Sequence, residues 1–210
     1  MEKSQFKIGI LQGRLTPPSQ PGVIQEFPKN NWRNEFKIAH DIGFEAIELI
    51  FDGPNNPLFN EGELSEVREL SEKYEIFISS VCSDYSMHHP LFGESKNKTI
   101  ELLLELIENC HSLAIPRIGI SFEDNSSLQN EVQVNEAIAS VKQIIKPIEQ
   151  NNMNLTLETS LGIYNVKEFI KRVGSNHLKI NFDLGNSCCL GEDTPATIKS
   201  LGSLIGGVHI

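Results

Sequence analysis

Short apolar runs recur along the chain and alternate with longer amphipathic stretches. Seven runs rich in β-branched and aliphatic residues predict strands. They cover Lys7 to Gln12, Ala46 to Phe51, Ile76 to Cys82, Arg117 to Phe122, Leu155 to Glu158, Leu178 to Asp183 and Ile205 to Ile210. Strands that alternate with helical stretches are typical of a parallel sheet with crossover helices, so the pattern predicts an α/β fold.

Apolar positions at helical spacing predict helices between most of these strands. In the first of them, Trp32, Phe36 and Ala39 fall on one face. In the last, Thr194 is predicted to cap the helix ahead of Pro195. The predicted helices are Trp32 to Ile42, Glu63 to Tyr74, Thr99 to Leu113, Val132 to Gln150, Val166 to Val173 and Thr194 to Leu201.

Three of the predicted strands end in residues that can bind a metal. Alternation within each run places Glu158, Asp183 and His209 on the polar face, because successive strand side chains point to opposite faces. Two carboxylates and an imidazole suit Mn, Fe, Co, Ni or Zn, and Mg where oxygen ligands dominate. The repeated pattern therefore predicts a divalent metal site, and the alternative is that each residue is an ordinary polar residue at a strand end.

Two parallel architectures are compatible with this alternation. An open doubly wound sheet usually carries a glycine-rich phosphate loop after an early strand, and Gly9 to Gly13 lacks that spacing. A (β/α)8 barrel instead places functional residues at the carboxyl ends of several strands, where Glu48 and the three metal-binding candidates fall. We therefore expect a TIM barrel in a single domain over residues 1–210, C-terminally incomplete and with about seven βα units.

Composition and charge argue against several functional classes. The 210 residues include 18 basic and 28 acidic side chains, and the net charge of −10 disfavours nucleic acid and anionic membranes. No apolar run is long enough to cross a bilayer, and the N-terminal residues lack the apolar core of a signal peptide. The four cysteines have neither metal-site nor disulfide-framework spacing. These features predict a cytoplasmic protein with no nucleic-acid and no membrane partner.

The chain resembles the sugar phosphate isomerase/epimerase family, a xylose isomerase-like TIM barrel group. The resemblance rests on Gly13-Arg14-Leu15, AIEL and CSDYSMHHPL, and most strongly on LTLET, NFDLGN and GGVHI in that order. It implies a metal held by Glu158, Asp183 and His209 and by a second glutamate on an eighth strand. The sequence ends at Ile210, so this second glutamate has no counterpart, and the resemblance then implies a weaker metal affinity.

For function, the resemblance implies a metal-dependent isomerase or epimerase of a small-molecule sugar or sugar phosphate. The divalent metal (Mn, Co, Mg or Zn) would polarise a carbonyl so that the neighbouring C–H becomes acidic. Glu158 is then both a metal ligand and a catalytic base, while the missing glutamate would act on the opposite face of the substrate. Because that glutamate is missing, an inactive chain is an alternative.

Four further residues are predicted to bind substrate. Glu48 is expected to face the barrel mouth, where it either hydrogen-bonds substrate hydroxyls or pairs with a base. Arg14 has two possible roles. Its planar guanidinium could donate two parallel hydrogen bonds to oxygens of the substrate or its phosphate, or it could form a surface ion pair. His88 either contacts substrate or is a plain loop residue, and Asn186 either orients the loop after Asp183 or touches substrate.

Two other functions stay open from the sequence. An endonuclease IV-like phosphoesterase needs additional histidines for a multi-zinc cluster, and its strand-six motif carries a histidine where Asn186 stands here. A non-catalytic truncated barrel would expose its first and seventh strands, and unpaired strand edges are prone to associate. We accordingly expect a homo-oligomer.

Overall fold

The computed structural model describes residues 7–23, 25–189, 191 and 193–210 of the protein. They form two compact units. One comprises the chain up to Cys82 together with Glu108–Pro116, and the other comprises Ser83–Ile107 and Arg117–Ile210. No helix in the described part of the chain is long and apolar enough to span a membrane. The single-domain organisation and the self-association of the chain stay predictions.

The first unit contains three parallel strands, apart from Ser83 at the end of the third. β1 (Gly9–Leu11) pairs with β2 (Ala46–Ile50), and β2 pairs with β3 (Phe77–Ser83). The helices before and after β2 are α1 (Trp32–Ile42) and α2 (Glu61–Lys73). Every residue of β2 is buried, as expected for a parallel strand that is covered on both faces.

The second unit contains four parallel strands that pair in chain order. These are β4 (Arg117–Phe122), β5 (Asn154–Thr159), β6 (Leu178–Asp183) and β7 (Ile205–His209). The helices that follow β3 are α3 (Asp84–His88), α4 (Lys96–Ser112), α5 (Glu131–Gln150), α6 (Ile163–Val173), α7 (Leu184–Cys189) and α8 (Thr194–Leu201). Phe122 of β4 and Phe169 of α6 pack with ring centroids 5.7 Å apart in the core between sheet and helix.

All seven predicted strands and all six predicted helices are present, with ends that differ by a few residues. Two short helices, α3 and α7, were not predicted, because segments of 5 and 6 residues are too short to show a helical repeat. The predicted cap of α8 is wrong by one residue. Asp193 is the N-cap, since its side chain accepts a hydrogen bond from the Ala196 backbone N–H, and Thr194 is the first helical residue.

A β-bulge near the start of β7 sets the register of the last strand. Ile180 pairs with Ile205, whereas Asn181 pairs with Gly207, so that Gly206 is the extra residue. A Cβ at Gly206 would lie 2.6 Å from the Cβ of Lys179, which explains why glycine stands there. Beyond the bulge the predicted alternation resumes. Val208 precedes His209 and therefore points to the opposite face of the strand, where it is 56% exposed.

Glu35 anchors the loop that follows β1 in the first unit. It lies on α1 and is completely buried. One carboxylate oxygen accepts a hydrogen bond from the Gly13 backbone N–H at 2.6 Å, and the other accepts from the Leu15 N–H and the Thr16 hydroxyl at 3.3 and 2.8 Å. Three donors of one loop therefore depend on a single carboxylate, and Arg14 lies in the middle of that loop.

Replacing Glu35 with alanine is expected to destabilise the protein by about 2–4 kcal/mol, because it leaves several donors without an acceptor. Urea unfolding followed by circular dichroism measures this change. Glu45→Ala is the matched control, since Glu45 is an exposed glutamate of the same unit. The control is expected to shift stability by less than about 0.5 kcal/mol. Equal stabilities of the two variants would contradict the anchoring role of Glu35.

Candidate metal centre

Strand pairing in the second unit brings the three predicted metal ligands together. Glu158 lies near the end of β5, and Asp183 and His209 are paired at the ends of β6 and β7. One ligand atom from each lies within 4.8 Å of the other two. His209 Nδ1 is 3.5 Å from Glu158 Oε2 and 3.9 Å from Asp183 Oδ2. All three side chains are about one quarter exposed, so a solute can reach them.

The separations between His209 and the two carboxylates fit a single divalent cation. Oxygen and nitrogen ligands lie ~2.0–2.2 Å from Zn²⁺ or Mg²⁺, so two ligands of one such ion are at most about 4.4 Å apart. The separations of 3.5 and 3.9 Å between His209 and the two carboxylates are below this limit. Two carboxylates and one imidazole are also a donor set that Mn, Co, Zn and Mg accept. The residues present therefore suit the predicted metal.

Two asparagines hold the carboxylates of the cluster. The Asn186 backbone N–H donates to Asp183 Oδ1 at 2.7 Å, and its side-chain amide donates to Glu158 Oε1 at 3.1 Å. The Asn181 side-chain amide donates to Glu158 Oε2 at 3.0 Å. Each oxygen of Glu158 thus accepts an amide hydrogen. These donors stabilise the carboxylate without adding a positive charge that would compete with a cation.

A fourth acidic side chain, Glu123, was not predicted as part of the site. It follows the last residue of β4 and is half-buried. Burial and the negative charge of Glu158 raise the pKa of Glu123 to about 7, with smaller contributions from Asp124 and Asp183 and an opposing hydrogen bond with Ser160. Its place directly after a predicted strand is the signal that could have identified it, because parallel strands present functional residues at their carboxyl ends.

The four predicted substrate-binding residues have different surroundings. Asn186 is exposed and contacts the cluster, whereas His88 is the exposed last residue of α3, a helix where a loop was expected. In the first unit, Glu48 is buried and accepts a hydrogen bond from the Ser80 hydroxyl at 2.7 Å. Arg14 is exposed in the loop anchored by α1. Their roles in substrate binding stay predictions.

A cleft lies beside the cluster within the second unit. Its lining includes the polar side chains of Glu158, Asp183 and Asn186 and the apolar side chains of Leu161 and Val166. A few polar groups among apolar ones are typical of small-molecule sites, where the polar groups orient the ligand. The carboxylates of the cluster therefore border a cleft that also has apolar walls.

Comparison with protein families identifies one match over most of the chain. The family model for xylose isomerase-like TIM barrels matches residues 36–210. None of the curated protein sequences is significantly similar to the chain.

Several solved structures share the fold over nearly the whole chain. D-psicose 3-epimerase with D-tagatose from Clostridium cellulolyticum H10 has a TM-score of 0.77 at 16% identity, covering 97% of this chain and 72% of that chain. A xylose isomerase-like TIM barrel protein from Mycobacterium smegmatis in complex with magnesium has a TM-score of 0.77 at 19% identity, covering 98% of this chain and 74% of that chain. The probable 3-DHS dehydratase from Bacillus anthracis has a TM-score of 0.70 at 19% identity, covering 98% of this chain and 73% of that chain. At these identities the similarity shows the fold alone, and it confirms the predicted TIM-barrel class.

The raised pKa of Glu123 predicts a pH-dependent stability. The folded chain keeps this proton up to about pH 7, whereas the unfolded chain releases it near the ordinary pKa of 4.5. The native state binds more protons between these values, so the contribution of Glu123 is fully favourable below about pH 4.5 and is lost as the pH rises through about 7. Glu123→Gln removes the titrating group and is expected to flatten this decrease.

The measurement is the Tm of chelator-treated protein between about pH 5 and 7.5, compared for the wild type and Glu123→Gln. Glu105→Gln, which changes an exposed glutamate of the same unit, is the control and is expected to follow the wild type. If the Tm of Glu123→Gln fell with pH as steeply as the Tm of the control, the prediction would be wrong.

Proposed function

The chain belongs to the xylose isomerase-like TIM barrel family, and from that premise we propose that it is a metal-dependent isomerase or epimerase of a sugar or sugar phosphate. The observation that carries this proposal is the cluster of Glu158, Asp183 and His209 at the carboxyl ends of neighbouring parallel strands. In TIM-barrel enzymes this end of the strands is where the active site lies.

The solved structures support both parts of the proposal. One of them is a ketose 3-epimerase with D-tagatose, which supports a sugar substrate, and another is a complex with magnesium, which supports a divalent ion. The net charge of −10 further favours a small sugar over nucleic acid as the partner. We propose a cytoplasmic setting for this activity.

Glu158 is the proposed catalytic base. A bound divalent cation would polarise the substrate carbonyl and so acidify the neighbouring C–H. The side-chain amide of Asn186 donates a hydrogen bond to Glu158 Oε1, which restrains the carboxylate. A base must lie within hydrogen-bonding reach of the proton that it removes, so a fixed carboxylate at the edge of the cleft suits this step.

Asp183 and His209 serve as ligands in the proposed mechanism. The Asn186 backbone N–H holds one oxygen of Asp183 and leaves the other, Oδ2, facing His209. Asp183 and His209 would hold the cation beside Glu158, where it would polarise a substrate carbonyl. This division of roles predicts that Asp183 and His209 control metal affinity.

Calorimetric titration of chelator-treated protein with Mn²⁺ is expected to show one ion per chain. Asp183→Asn and His209→Ala are each expected to weaken binding at least about tenfold, because each removes a ligand. Glu168→Gln is the control, since its side chain is 42% exposed on α6, and it is expected to bind like the wild type. A wild-type protein that binds no Mn²⁺ would refute the metal centre.

Solvent exchange tests the proton transfer itself. Incubation with a panel of ketoses and ketose phosphates, with Mn²⁺, Co²⁺ or Mg²⁺ in D₂O, is expected to place deuterium next to the carbonyl of the true substrate. Glu158→Gln is expected to slow this exchange at least about 100-fold, because it removes the base. Glu168→Gln is expected to keep it. Metal binding without exchange on any member of the panel would contradict the proposed reaction while leaving the metal centre intact.

A further inference from the structure

Asn181 lies within the metal cluster itself. It stands two residues before Asp183 on β6, so its side chain shares the face that carries the proposed ligands. It is only 6% exposed. Its amide nitrogen is 3.0 Å from Glu158 Oε2, 3.1 Å from His209 Nδ1 and 3.3 Å from His209 Nε2. One amide group therefore contacts the ligand atoms of two of the three proposed metal ligands.

Charge explains the orientation of this amide. Rotating it by half a turn would bring Oδ1 against Glu158 Oε2, and two oxygens without a hydrogen between them repel each other. In the observed orientation, Oδ1 is buried and has no hydrogen-bond partner among the described residues. It faces Gly207, where an added Cβ would lie only 2.5 Å away. Asn181 thus leaves its own oxygen unsatisfied while its NH₂ group contacts the ligand atoms.

We propose that the Asn181 amide competes with the divalent cation for Glu158 Oε2 and for the space beside His209. This inference rests on the metal centre proposed above. In the metal-free protein, the amide donates a hydrogen bond to Glu158 Oε2, and its nitrogen lies almost equally far from both ring nitrogens of His209, against the face of the ring. A cation uses the same carboxylate oxygen, so this hydrogen bond must be given up when it binds. Asn181 is therefore a positioning residue that stabilises the metal-free protein and lowers its metal affinity.

The direction in which metal affinity changes when Asn181 is replaced distinguishes competition with the cation from simple positioning of the ligands. A residue that only holds the ligands in place weakens metal binding when it is removed, as other residues that orient ligands do. A competing residue strengthens binding when it is removed, because its hydrogen bond no longer has to be broken. If the substitution leaves the metal-bound protein equally stable, linkage makes the gain in metal affinity equal to the stability that the metal-free protein loses.

The test compares Asn181→Leu with the wild type by calorimetric titration with Mn²⁺ and by the Tm in a chelator. Leucine keeps roughly the volume of the side chain and removes both amide hydrogens. The Mn²⁺ affinity is expected to rise about three- to tenfold, the value of one net hydrogen bond, while the Tm of the metal-free protein falls. Asn165→Leu is the control on the exposed face of α6 and is expected to leave the affinity unchanged.

Asn181→Ala provides a second variant and is expected to change affinity in the same direction. In the wild type, the side-chain amide protons of Asn181 are expected to move upfield in NMR spectra on saturation with diamagnetic Mg²⁺, an observation that needs no variant. Wild-type binding with unchanged or weaker binding in the variants, or unmoved amide protons, would overturn the role of Asn181 alone. A wild type that binds no cation would overturn the metal centre and this role together.

Discussion

The hydrogen-bond register of β5, β6 and β7 is the constraint on which the site depends. Side chains alternate across a strand, so a slip of one residue would turn every ligand of the shifted strand to the opposite face. The pairing of Asp183 with His209 places these two side by side, and the bulge at Gly206 supplies the extra residue that makes this pairing possible. The close approach of Gly206 to Lys179 shows why a larger residue does not fit there.

The register brings like charges together, and the chain compensates for this with neutral donors. Glu158 and Asp183 both accept amide hydrogens from Asn181 or Asn186. A lysine or arginine in the same position would neutralise the carboxylates permanently and exclude a divalent cation. Burial, and after it the negative charge of Glu158, raises the pKa of the neighbouring Glu123, so the neutral donors leave part of the negative field uncompensated. This residual field favours binding of a cation.

The sequence was sufficient for the order of strands and helices and for the placement of Glu158, Asp183 and His209 at strand ends, while their role as metal ligands stays a prediction. Apolar runs and their alternation depend on local pattern, which is why the predicted element order and the polar face of Glu158 agree with the structure. The roles of Glu35 and Asn181 could not be predicted, because each depends on contacts between segments far apart in sequence. Glu123 lay at a recognisable position but belonged to no motif.

The fold does not determine the reaction, since the similar structures include an epimerase and a probable dehydratase. The placement of the acids is more informative. Ser121 pairs with Glu158, and Glu123 follows the last residue of β4, so the two acids lie at the same end of neighbouring parallel strands. Inversion of a centre by two bases requires acids on opposite faces, whereas moving a proton between neighbouring carbons on one face requires a single base. A single base at Glu158 would therefore suffice for the isomerase form of the proposed function, whereas the epimerase form would need a second base on the opposite face of the substrate.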